Sequence, residues 1–186
     1  MREFIQLDIK PYLNHRLIYN TPQQIEKGRT DFGLDNDYVL KLNLNIQESA
    51  IFNEVEFKFV FGKFDNVTCE GQRLEIGECI NKLHFIGFAY WGDINEYFKV
   101  VYEDETEKMV EVPFNDWSHA VFKVPWGNGM CGENTETVKI TMSSGASTHL
   151  VHFHHIVCDI NKGKKVKEII FPDNMFIHIF ALTLEK

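Results

Sequence analysis

From residue 55 to residue 61 every second side chain is apolar: Val55, Phe57, Phe59 and Phe61, with Glu56 and Lys58 among the residues between them. Neighbouring side chains of an extended strand point to opposite faces, so this run makes one apolar and one wet face and suits a half-buried strand rather than a helix. The spacing returns at Phe98, Val100 and Tyr102. At the C-terminus Met175, Ile177, Ile179 and Ala181 alternate with Phe176, His178, Phe180 and Leu182, so both faces are apolar, as in a central strand. Further strands are predicted over Phe4 to Ile9, Tyr38 to Leu44, Leu83 to Tyr90, Met109 to Val112, Val138 to Met142, Leu150 to Val157 and Val166 to Phe171. About ten short strands separated by turn residues predict a sandwich or barrel. Sixteen Phe lean the same way, because rings pack well on a pleated surface. The one helical signal is short: Thr21 as cap, Pro22 to Lys27, then Gly28. The reading is an all-β, antiparallel sandwich that occupies residues 1–186 as one domain, since no repeat, low-complexity tract or linker divides the chain.

Charge and cysteine usage exclude several functions. Nineteen Lys and Arg against 27 Asp and Glu leave a net charge of −8, which repels a nucleic-acid backbone. Glu3, Asp8 and Lys10 interrupt the first twelve residues, so no signal peptide is read there. The most apolar run, Phe176 to Leu184, has half the ~18 residues a membrane helix needs and contains His178. A cytoplasmic protein without membrane attachment is expected. Cys69, Cys79, Cys131 and Cys158 show no Cys-x-x-Cys spacing and read as reduced thiols, with neither disulfides nor a zinc knuckle.

Four groups of residues bear on chemistry. His149, His152, His154 and His155 fall within seven residues; on a strand His152 and His154 share one face and His155 takes the other. That pair suits a metal, and with Asp159 it loosely resembles a cupin motif, which gives the alternative of a cupin-like metal-dependent enzyme. The favoured reading is of partly exposed, hydrogen-bonded histidines on a sheet face, with no metal. Asp31, Asp35, Asn36 and Asp37 offer hard oxygen ligands but lack the spacing of a calcium loop; they read as a turn, and no calcium or other cofactor is predicted. Gly127, Gly129 and Gly132 lack the Lys-Ser or Lys-Thr of a phosphate loop, and Ser143-Ser144-Gly145 lacks a nucleophile elbow, so no catalytic set is assigned.

Tryptophan is the fourth group. An exposed indole is a flat platform for the C–H face of a sugar, and neighbouring amides and carboxylates fix the hydroxyls. Trp126 is the first candidate: Pro125 stiffens its approach, Gly127 and Gly129 let the backbone bend, and Asn128 and Glu133 supply polar partners. Trp91 beside Asp93 and Asn95 is the second, and Trp117 is read as core.

Four segments carry a family likeness: Asn66-Val67-Thr68-Cys69-Glu70-Gly71-Gln72, Leu83 to Gly92, Val100-Val101-Tyr102-Glu103-Asp104 and Asp116-Trp117. With the closing Lys165 to Asn174 and His178 to Glu185, and the opening Asp8 to Asn14, they resemble a galactose-binding-domain-like jelly-roll sandwich, an accessory module of bacterial glycoside hydrolases. Asp104-Glu105 stands where such modules commonly have Asp-Gly, which suggests a different turn. The resemblance implies a non-catalytic carbohydrate-binding module that takes a sugar or glycoconjugate through loops at one end of the sandwich. A structural protein-interaction domain is the remaining alternative.

Overall fold

A computed structural model of the chain describes residues 2–19, 40–41, 48–117, 140–142, 150–151, 153–161 and 163–186. In its first part the strands are β1 Phe4–Gln6, β2 Ile18–Tyr19, β3 Leu40–Lys41, β4 Ser49–Phe52, β5 Val55–Lys58, β6 Val67–Glu70 and β7 Arg73–Cys79. They continue with β8 Lys82–Ala89, β9 Ile94–Tyr102, β10 Glu107–Phe114, β11 Ile140–Met142, β12 Leu150–Val151, β13 His154–Asp159, β14 Lys165–Ile170 and β15 Asp173–Glu185. A single 3-10 turn, Lys10–Tyr12, is the helical element among the described residues. The helical turn expected at Pro22 to Lys27 lies outside them. No helix among the described residues is long and apolar enough to cross a membrane.

Two antiparallel sheets face each other. The first runs β1-β15-β8-β13, with β6 also on β15, and the second runs β10-β9-β14-β7. Strand β15 anchors the first: residues 177–185 pair with β8, while β6 and β1 pair with its beginning and its end. Inward side chains of both sheets fill one core, with Phe85, Ile179 and Leu182 from the first meeting Phe98, Val112, Phe114 and Ile169 from the second. Phe85, Phe98 and Phe114 form a triangle of rings 5.2 to 6.1 Å apart. The chain is therefore an all-β, antiparallel sandwich, as its alternation requires. A further set of short strands runs β12-β11-β3-β2, and its β2–β3 pair is parallel.

The first sheet is covered on its other face too. The β4–β5 hairpin lays Phe52, Val55 and Phe57 over Ile86, Phe88, Phe180 and Ala181, joined by Leu17 and Phe153. This explains why seven successive residues of β8, Leu83 to Ala89, are buried instead of every second one. In β15 the pairing register with β8 shifts between Ile179 and Ala181. The extra residue turns both Phe180 and Ala181 toward the hairpin, while Leu182 and Leu184 return to the inter-sheet core. Phe176, expected to pack with Phe180, is instead 41% exposed, because it lies where β15 runs out past the end of β8.

The β9–β10 turn departs from expectation in a smaller way. Glu105 adopts φ +60, the left-handed conformation that glycine would take in an Asp-Gly turn. Asp104 secures it by accepting from Lys164 Nζ at 2.8 Å, from the Thr106 hydroxyl and from the Thr106 N–H at 3.1 Å, contacts that hold its carboxyl down at about 2.

Candidate functional site at the Trp91 end of the sandwich

Strands β8 and β9 meet in the tight turn Tyr90-Trp91-Gly92-Asp93. Two residues there take positive φ: Gly92 at +109 and Trp91 at +75. The left-handed region costs a non-glycine residue about 1 kcal/mol, so the turn persists only because its surroundings hold it. Asp116 is the holder. This 5%-exposed side chain accepts the Gly92 N–H at 2.6 Å, and its own N–H donates to Asp93 Oδ1 at 2.7 Å. The backbone on either side is tied down as well: Ala89 N–H donates to Asn115 O, Trp117 N–H to Ala89 O, and Tyr90 N–H to Phe176 O, at 2.8 to 3.0 Å.

The result is an indole pushed outward on a rigid base. Trp91 is 68% exposed. Behind it Tyr90 is buried, its ring perpendicular to Trp91 at 5.6 Å and stacked on Trp117 at 6.3 Å. Trp117 is half-buried against the second core cluster, in keeping with its reading as a core residue. Asp93 and Asn95, the polar partners expected for Trp91, are both exposed, one in the same turn and one on β9. Next to the turn, the second residue of β15 is Asn174, whose Oδ1 accepts the Phe176 N–H and whose Nδ2 donates to Glu96 Oε2, so this side chain shapes the chain's entry into the strand. Trp126, Asn128 and Glu133 lie outside the described residues, as do His149, His152, Cys131 and the acidic group at 31–37.

The expected His152/His154 pair is corrected in its described half. His154 is not partly exposed: it is 2% accessible, shares its strand face with Ile156 and Cys158 of the inter-sheet core, and has Nε2 3.3 Å from Asp116 O. His155 points the other way, under the hairpin. There it belongs to a relay of polar groups that no local motif announces: Asn53 Nδ2 to His155 Nδ1 at 3.1 Å, His155 Nε2 to His84 Nδ1 at 3.1 Å, and His84 Nε2 to Glu185 Oε2 at 3.0 Å. Neutral rings, each protonated at Nε2, satisfy all three contacts in one direction. Burial lowers the pKa of both rings against a weaker pull from Glu185 on His84, and His155 falls to about 4. A second buried group is centred on Asn66, whose Oδ1 accepts from His178 Nδ1 at 3.0 Å and whose Nδ2 donates to Asp65 Oδ1 at 2.7 Å. Burial holds His178 well below its ordinary pKa. Among the described residues no three His, Cys, Asp or Glu side chains gather as a metal ion would require. Cys69 and Cys158 are buried and Cys79 is exposed, all three as free thiols, with the buried Cys69 thiol pushed up in pKa by desolvation.

Comparison with known proteins agrees with the architecture. No curated protein matches the chain. One family model does, over residues 26–186, so that of the first sheet only β1, which pairs with β15, precedes the matched segment. With two facing antiparallel sheets and a match across most of its length, the chain belongs to the AziU2-like beta-sandwich domain family.

Proposed function

We propose that this domain is a non-catalytic carbohydrate-binding module, and that Trp91 is the platform on which a sugar or glycoconjugate stacks. One observation carries the reading: a large apolar ring stands 68% exposed in a backbone conformation that disfavours it, held there by a buried carboxylate. Strain of this kind is kept where a side chain must be presented and not packed. Asp93 and Asn95 supply a carboxylate and an amide for vicinal hydroxyls, and the buried Tyr90 and half-buried Trp117 stiffen the base. The likeness to galactose-binding-domain-like jelly-roll modules supports the same reading; on sequence grounds Trp126, with Asn128 and Glu133, is the other candidate, and it lies outside the described residues. Affinity is expected to be weak, because an open site buries little of its ligand and hydroxyls must lose water before they pair.

The test is a glycan array read with the wild-type protein and with Trp91→Ala. The reading expects one or more related glycans to bind the wild type and to be lost on substitution. An array with no wild-type signal, or hits that Trp91→Ala leaves intact, would overturn it.

A further inference from the structure

The chain from Lys58 onward leaves the hairpin and runs back past the N-terminal turn at Lys10, and between the two lies a groove of about 510 Å³. That volume falls in the range of roughly 300–1,000 Å³ typical of small-molecule sites. Its apolar wall is aromatic: the half-buried Phe61 lies parallel to the buried Phe59 behind it, 9° apart in plane and 6.3 Å between centroids, and the half-buried Phe64 follows. Its rim carries Lys10, Lys58 and Lys63, all exposed, and Lys63 Nζ sits 4.9 Å from the centre of the Phe64 ring. Among the described residues none of these three ammonium groups forms an ion pair, whereas Lys99, Lys164, Lys165, Lys167 and Lys186 all do. Asp8 and Glu48 also line the groove, and Asp8 Oδ1 is engaged by the Lys10 N–H at 3.2 Å. A protein of net charge −8 thus has a groove whose lining carries three cations and two anions.

We propose that this groove is a second binding site, taking a small ligand that joins one anionic group, carboxylate or phosphate, to a flat apolar body. The aromatic wall receives the body through stacking and burial. The lysines receive the anion: each is a compact charge on a flexible stem, so they converge on an oxyanion without the fixed geometry arginine would impose. A neutral ligand gains only the wall, and a cationic one meets like charge at the rim. Trp91 takes no part, so this site stands or falls separately from the sugar platform.

Amide NMR titration of the full chain tests it, with phenyl phosphate and phenylacetate as anionic probes and benzyl alcohol and benzylamine as controls. The expected result is saturable binding of at least one anion at about 1 mM or tighter, with shifts concentrated at residues 8–13 and 58–64. Which anion binds more tightly identifies phosphate or carboxylate as the natural group. The controls should bind at least about tenfold more weakly, a difference of roughly 1.4 kcal/mol. Lys63→Gln and Lys10→Gln, both exposed and expected to leave the melting temperature unchanged, should each weaken anion binding several-fold. Failure of both anions to saturate, equal binding of the controls, shifts that map elsewhere, or lysine variants that bind as the wild type does would each overturn the proposal.

Discussion

Gly87 has no room for a side chain. It lies in β8 opposite Ile179, and a Cβ placed on it would collide with the His178 carbonyl and press on the Phe114 ring. Backbone cannot step aside as the tip of a side chain can, so Gly87→Ala is expected to cost about 3 kcal/mol, read as a lower midpoint in denaturant at unchanged slope. Trp91 is the opposite case, a residue whose removal should relax the molecule. Trp91→Gly places glycine at φ +75 and is expected to leave stability unchanged or raise it by up to about 1 kcal/mol, while removing sugar binding. A clear drop in melting temperature would show that the indole is structural. Sequence alone ranks this residue second, behind Trp126. Exposure of Trp91 follows from Asp116, 25 positions later, reaching back to the turn, and no local pattern reveals that contact.

Individual elements were legible in proportion to the contrast between their faces. β8, β9, β10, β14 and β15 all carry strong alternation or continuous apolar runs, and their predicted cores lie inside the observed strands, whereas of the run 55–61 only Val55–Lys58 is strand and Phe59 and Phe61 lie beyond it. β7 was not foreseen, because Arg73-Leu74-Glu75-Ile76-Gly77-Glu78-Cys79 is an edge strand whose outward residues are charged and whose Gly77 breaks the pattern. The bulge that turns Phe180 and Ala181 to one face was equally hidden. Phe180 packs on Phe153 at 4.6 Å and Phe88 at 5.3 Å and is 1% exposed, so Phe180→Ala is expected to lose about 3 kcal/mol, measured by thermal or chemical unfolding. The relay from Asn53 to Glu185 joins the β4–β5 hairpin to the first sheet and gives that junction a pH dependence. Folding keeps His155 neutral down to about 4, whereas the unfolded chain takes up its proton near 6.5. Between those values the unfolded state binds more protons, so stability is full above about 6.5 and falls as pH drops toward 4. His155 alone accounts for on the order of 2 kcal/mol after discount for its partial exposure, and His84 and His178 act in the same direction. Replacing His155 by Gln should flatten the melting-temperature profile across that window; a profile as steep as the wild type's would contradict the assignment.

At the scale of the whole molecule, one sheet is sandwiched twice, by the second sheet on one face and by the hairpin on the other. That arrangement explains why the aromatic content of the chain is high and why β8 and β15 are apolar throughout. It also leaves few large apolar side chains outside, and three of those most exposed among the described residues, Trp91, Met175 and Phe176, gather where β8 and β15 meet at one end. The central claim is that this end receives a sugar by stacking. The three tryptophans give three indole N–H signals in a nitrogen-15 NMR spectrum, each assignable by substitution. Titration with a glycan that the domain binds is expected to move the Trp91 indole signal by a large margin over that of Trp117, which lies half-buried against the core. A glycan that binds while the Trp91 signal stays in place would contradict the claim.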